Sequence, residues 1–286
     1  MAELAAPGQV GLPTREEAEQ NYNEAVLEAV LACAEDTAGQ RCFICLDGAA
    51  GEGLVRMCAC RGASGVAHVS CLARGAQAAD ERDADTGWAR WYTCGLCEQE
   101  YHGVVRCALG WSCWKTYLGR PEGDRARRLA MNLLGLGLWA VKHYEDALSV
   151  QEAELSLRRR LDDSEEYILV AQGNLASTYH RLGRLDEGLH LRQAVYSGRV
   201  KLHGEEHERT LRAASNYAVS LIDLRVQRSE EVKSLMLKTM PVAQRVLGES
   251  HSLTLRMKWN YARALYQYVD ATIDDLREAV TTLEES

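Results

Sequence analysis

Between Cys42 and Cys97, seven of the chain's ten cysteines and one histidine fall in a single ordered series. It runs Cys42-x-x-Cys45, a loop, Cys58-x-Cys60, seven residues, His68-x-x-Cys71, a longer loop and Cys94-x-x-Cys97. Seven thiolates and one imidazole make two complete tetrahedral sets of the kind that hold structural zinc, and no coordination position is left open for a substrate or a catalytic water. A pair separated by two residues lets a tight turn bring both sulfurs to one ion. His68 and Cys71, three apart, meet on one face where a helix begins. The segment is rich in Gly and Ala with little apolar content between the ligands, so core burial offers it little, and metal binding supplies folding free energy directly. The expected cofactor is zinc, as two structural ions, and no residue is assigned a catalytic role.

The competing use of so many cysteines, a disulfide framework, needs an oxidising compartment. The chain begins Met-Ala-Glu-Leu and lacks the basic and apolar regions of a secretory signal, so the expectation is an intracellular, cytoplasmic protein. Cys33, Cys107 and Cys113 lie outside the series and read as ordinary buried or partly buried thiols. With 286 residues and 47% hydrophobic content there is material for two domains. A formal net charge of −8 without a dense Lys/Arg stripe argues against a nucleic-acid partner, since phosphate binding depends on clustered positive charge. The longest apolar stretch, Leu129 to Val141, contains Asn132 and two glycines. It falls short of the roughly 20 residues of a spanning helix, so no membrane partner is expected.

Four segments follow. Residues 1–40 comprise a small, Pro/Gly-containing tail to about residue 13, expected to be disordered, and an amphipathic helix from about 15 to 35. Thr14 and Glu17 form a capping-box signature, and Ala18, Tyr22, Ala25, Val26, Ala29, Val30 and Cys33 recur at helical spacing, a face that packs on the zinc segment. Residues 41–100 hold the ligands. Residues 101–123 form a connecting helix and linker in which Trp111, Trp114 and Tyr117 make a packing stripe that stops before Pro121.

Residues 124–286 repeat themselves. Thr210-Leu211-Arg212, Asn216-Tyr217-Ala218 and Leu221 return 44 residues later as Thr254-Leu255-Arg256, Asn260-Tyr261-Ala262 and Leu265. Earlier copies carry Asn174-Leu175-Ala176 with Tyr179, and Asn132-Leu133-Leu134. A period of about 42 to 44 residues belongs to helical hairpins stacked in a solenoid. Leu182-Gly183-Arg184 supplies a glycine where a helix ends. The acidic starts at Tyr144, Leu185, Ser229 and Ile273 suit the positive end of a helix dipole and count four hairpins.

These repeats resemble tetratricopeptide repeats of the longer, kinesin light chain type. The resemblance implies a concave groove for an extended peptide or partner helix. Asn132, Asn174, Asn216 and Asn260 occupy equivalent places, either facing a ligand backbone or else solvated or tying adjacent hairpins together.

The zinc segment resembles the RING-CH (RING-variant) domain of the membrane-associated RING-CH ubiquitin ligases. The marks are the one-residue gap Cys58-Ala59-Cys60, the run Arg61-Gly62-Ala63-Ser64-Gly65, the seven residues before His68 and a cysteine as fourth ligand. A PHD finger shares the ligand order but differs in these gaps. The resemblance implies an interleaved pairing, Cys42, Cys45, His68 and Cys71 on one zinc and Cys58, Cys60, Cys94 and Cys97 on the other. The fold class is then mainly α: a small two-zinc cross-brace followed by an α-solenoid of about four hairpins. The implied partners are a ubiquitin-conjugating enzyme, met by Ile44 with Trp88 and Trp91 as companions, packing being the alternative role for Trp91, and a protein substrate on the repeats. Two positions depart from the family: a tryptophan five residues beyond the sixth ligand is Ala76 here, and the basic residue after the last ligand is Glu98. The expected function is a RING-type ubiquitin ligase; the alternative is a non-enzymatic zinc-binding adaptor.

Overall fold

The computed structural model describes residues 12–83, 86–224, 229–267 and 271–284. They form eleven α-helices and one short 3₁₀ helix, and the β-structure among them is limited to the isolated bridges Val55 to Ala67 and Thr93 to Glu100. The tail expected over residues 1–13 lies outside the described residues as far as residue 11. Leu12 and Pro13 are half-buried, and Leu12 packs on the core. None of the described helices is long and apolar enough to cross a membrane. The chain divides into two compact units, Met1–Leu161 and Asp162–Ser286.

In the first unit α1 (Arg15–Thr37) opens with the capping box read from the sequence: Glu17 N donates to Thr14 Oγ1, and Thr14 N donates to the Glu17 carboxylate at 2.8 Å. Ala18, Ala25, Val26, Ala29 and Cys33 are buried along α1, which packs on α3 (Gly103–Tyr117). Helix α3 is buried along most of its length. The stripe of Trp111, Trp114 and Tyr117 does pack inward, each residue 6% exposed or less. Helices α3 and α4 (Arg125–Ala140) approach at backbone distance, because a Cβ on Gly110 would lie 3.0 Å from the Leu133 carbonyl oxygen and one on Gly137 3.0 Å from Cys107 Cα. Helix α5 (Tyr144–Arg160) closes the unit with a buried pair, Arg158 Nε donating to Glu154 Oε1 at 2.8 Å. One continuous core runs from Ala18 to Leu157 and takes in the ligand segment, with α2 (Val69–Arg82) and the 3₁₀ helix Gly87–Trp91, together with the hairpin α4–α5.

The second unit is a succession of hairpins: α6 (Glu165–Arg181) with α7 (Leu185–His203), α8 (Glu208–Asp223) with α9 (Ser229–Leu247), and α10 (Ser252–Gln267) with α11 (Ile273–Glu284). With α4–α5 these make the four expected hairpins, and the second helix of each begins at the acidic start read from the sequence. Gly183 takes φ +76°, and the Gly183 and Arg184 N–H groups fold back to the His180 and Tyr179 carbonyls at 3.2 and 2.9 Å. Such bonds satisfy the last carbonyls of a helix and release the chain into the next one. Leu211, Leu221, Met236, Met257 and Tyr261 are among the residues of this unit's own core.

Candidate metal centres and repeat groove

The two Cys-x-x-Cys turns are built alike. Cys42 N donates to Asp47 O at 2.8 Å and Leu46 N to Cys42 O at 2.9 Å; Cys94 N donates to Gln99 O at 2.9 Å and Glu98 N to Cys94 O at 3.0 Å. In both, the residue after the second cysteine adopts a left-handed backbone, Leu46 at φ +67° and Glu98 at +59°. In both, the residue before it points its N–H at the first sulfur, Ile44 to Cys42 Sγ and Leu96 to Cys94 Sγ, each at 3.4 Å. This geometry turns two sulfurs to one point and leaves the side chain before the second cysteine outside.

The fold gathers the eight ligands into two sets, Cys42, Cys45, His68 and Cys71, and Cys58, Cys60, Cys94 and Cys97, with the donor atoms of each set within 4.8 Å of one another. That is the interleaved pairing. A tetrahedral zinc with Zn–S near 2.3 Å and Zn–N near 2.0 Å sets S···S and N···S edges of roughly 3.5–3.8 Å. Cys60 Sγ to Cys94 Sγ is 3.7 Å, and His68 Nδ1 lies 3.4 Å from Cys45 Sγ and 3.7 Å from Cys71 Sγ. The donor type, count and spacing therefore fit zinc. With Nδ1 turned to the sulfurs, His68 Nε2 donates to the Gly48 carbonyl at 3.0 Å, which fixes the ring's orientation and tautomer.

Second contacts steady the ligands. Arg74 donates to Cys71 Sγ at 3.2 Å. Glu52 accepts from Ser70 N at 2.9 Å in the first turn of α2 and from the Tyr22 hydroxyl at 3.4 Å, linking the first ligand set to α1. Asp36 of α1 binds Arg56, which also donates to the Gly62 carbonyl beside the second set. Burial raises the Cys42 thiol, but the backbone N–H groups of Cys45, His68 and Ile44 outweigh it and bring it down to about 6. The Gln99 N–H leads a similar lowering at Cys97, to about 7. Burial pushes Cys58 and Cys60 up, so those sulfurs depend on a cation to ionise.

The residues expected to meet a conjugating enzyme separate. Ile44 is 45% exposed. Trp88 and Trp91 are interior, 7% and 2% exposed, and their rings lie 5.6 and 5.8 Å from Tyr117 of α3. They are core residues and offer no surface. The 3₁₀ helix, held by Gly87 against the Ala79 carbonyl, turns both indoles inward. Sequence reading missed Leu96, 53% exposed, although it holds the same place in its turn as Ile44. Ala76 is 1% exposed and points into the core; the outward position beside it on α2 is Gly75, where a Cβ would meet nothing within 4 Å.

The four asparagines also diverge. Asn132 donates to Glu154 Oε2 at 3.3 Å. Asn260 is fully buried and donates to Ser215 Oγ at 3.0 Å, tying α10 to α8, so it does not line a groove. Asn174 and Asn216 do line one, a cavity of about 670 Å³ among α6, α7 and α8. A single repeat register serves both purposes because the helix faces it marks are covered in one hairpin and open in another.

Residues 42–97 match the RING-variant domain, from the first ligand to the last. No curated protein matches the chain. Among solved structures, the kinesin light chain-type protein with nearly identical TPR-like repeats from Podosopora anserina is similar at 18% identity, covering 76% of this chain and 94% of that one with a TM-score of 0.54. A single-residue variant of the same protein gives 18% identity, 76% and 93% coverage and a TM-score of 0.53. At this identity the likeness shows the fold, a TPR-like helical solenoid.

Proposed function

We propose that this protein is a RING-type ubiquitin ligase, in which the RING-variant domain recruits a charged ubiquitin-conjugating enzyme and the repeats hold a protein substrate. The carrying observation is the pair Ile44 and Leu96: two large apolar side chains stand exposed at equivalent places on the two knuckles, beside donor sets whose spacing fits two zinc ions. An exposed apolar pair on a rigid metal-held turn is the kind of anchor that a partner protein buries. The chemistry asked of the domain is positioning: it holds the thioester in a reactive pose, the zinc ions remain structural, and no side chain of this chain acts as acid, base or nucleophile. The repeats raise the substrate's effective concentration at that thioester.

The adaptor reading is favoured by one observation: Glu98, in the exposed left-handed position after the last ligand, is acidic where many active RING domains carry a basic residue. The deciding assay is ubiquitin transfer by purified protein with a panel of conjugating enzymes. Ile44→Ala lowers transfer about five- to thirtyfold, as loss of one interface anchor worth about 1–2 kcal/mol requires, with zinc content unchanged. Glu98→Arg raises transfer. Absence of transfer with every conjugating enzyme, for the wild type and Glu98→Arg alike, overturns the ligase reading in favour of the adaptor.

A further inference from the structure

The α10–α11 hairpin leaves open a face that the hairpin before it buries. The repeat sets each position of α8–α9 against one 44 residues later in α10–α11, and the helix starts keep that spacing, Glu208 with Ser252 and Ser229 with Ile273. In α8–α9, Ser215, Ile222, Val232 and Met236 are each 2% exposed or less. Helix α10 packs on both α8 and α9, and Asn260 bonds Ser215 directly. The residues at the matching positions, Trp259, Tyr266, Leu276 and Val280, are 45–54% exposed, and Ile273, three residues before Leu276 on α11, is 70% exposed. Among the described residues no further hairpin lies on them. A face left to water in a stacked array is ordinarily polar. This one carries an indole, a phenol ring and three aliphatic side chains, a grouping that marks an interaction surface rather than scattered surface residues.

We propose that the open face of α10–α11 binds its own counterpart on a second copy of the chain, in a two-fold dimer. What covers this face at the preceding junction is a pair of helices of the same kind. A copy's first hairpin is not free to do so, because α3 already lies on α4 at backbone distance around Gly110 and Gly137. Head-to-tail growth is thereby closed off at that end, and association of like faces stops at two copies. Helices of 16 and 12 residues are roughly 24 and 18 Å long with axes about 10 Å apart, so two apposed faces bury on the order of 1,000 Å², the lower bound of a specific interface. The fringe of the face is self-complementary. Asp274 and Arg277 stand one turn apart on α11, both largely exposed, and a two-fold contact that sets Asp274 on the partner's Arg277 sets Arg277 on the partner's Asp274 as well. Dimerisation through α10–α11 is independent of the ligase reading, and it gives one assembly two RING-variant domains and two repeat grooves.

The test is sedimentation velocity of the full zinc-loaded chain from about 1 to 100 μM, a range that brackets the micromolar association expected of an interface this small. The mass rises from one chain to two with concentration, and hydrogen exchange at residues 273–284 slows in parallel. Trp259→Glu and Val280→Asp each weaken association about a hundredfold, since a two-fold contact counts every substitution twice. Leu27→Glu, at an exposed leucine of α1, leaves association unchanged. Helicity is checked for each variant; the two test positions are exposed and lie on different helices, so if one variant fails to fold the other decides alone. A chain that stays monomeric throughout the range overturns the proposal and leaves the face to a different protein. A dimer that survives both substitutions on the face, or that Leu27→Glu dissociates, overturns it as well. Ubiquitin transfer is read in no arm, so the ligase reading stands or falls separately.

Discussion

Both compact units are largely helical, yet they are held by different means. In the first, the described residues of 42–68 and 83–102 contain no α-helix, and the side chains that organise them are eight would-be metal ligands and a wall of indoles from Trp88, Trp91, Trp111 and Trp114. In the second, no such ligand set occurs among the described residues, and each hairpin is bound to the next by apolar contacts and by cross-links such as Asn260 to Ser215, or Asp223 with His180 and Arg263. Helix content alone therefore says little about what a chain's stability depends on. A metal-held segment loses its organising centre in one event, whereas stacked hairpins sum nearest-neighbour terms and lose them piecemeal.

Metal removal should produce the largest contrast. Strong chelation should abolish amide protection over residues 42–97 in hydrogen-exchange mass spectrometry and red-shift tryptophan emission, since five of the six tryptophans belong to the first unit. Residues 162–286 should keep their protection; parallel loss there would break the comparison. A single methyl group should come next. Gly65 has φ +76°, and a Cβ there would lie 2.7 Å from Cys60 Cβ and 3.2 Å from Cys58 Sγ. The left-handed backbone alone costs alanine about 1–2 kcal/mol, so Gly65→Ala should empty the second ligand set, seen as loss of a zinc equivalent, with the first set retained.

Smaller effects belong to the repeats. Asn260→Ala should cost about 1–2 kcal/mol through the lost Ser215 bond and the space left behind, lowering the urea midpoint of the second unit without changing metal content. The smallest concerns Asp275, whose carboxyl the Lys233 ammonium and the Thr272 backbone hold well below its ordinary value of 3.8. A depressed carboxylate contributes above the unfolded value and loses that contribution as pH falls below it. Acidification below about pH 4 should therefore loosen α11 in the wild type, and Lys233→Met should diminish that pH response, as followed by exchange at residues 273–284.

Much of this architecture was legible in the sequence because it rests on local chemistry. Ligand spacing, a capping box and paired acids at helix starts are each decided within a few residues, so Tyr144, Leu185 and Ile273 fall where they were expected. What escaped was set by distant packing. Nothing near Trp88 or Trp91 says that Tyr117 will cover them, and the repeat that aligns Asn260 with Asn174 says nothing of Ser215 beneath it. Leu96 is the exception: the match between the two Cys-x-x-Cys turns was visible, and only its consequence was missed.

The continuous core of the first unit bears on how such a protein can be taken apart. Excising the ligand segment after residue 100 would strand Trp88 and Trp91 in water without Tyr117, and a cut before α4 would uncover the face around Gly110. Freshly bared aromatic surface invites aggregation. The smallest piece that can be grafted onto another binding platform therefore runs through Leu161 and carries the α4–α5 hairpin with it. In this chain the ligand-bearing head and the first hairpin travel as one cassette, and only the hairpins beyond Leu161 can be exchanged without opening its core.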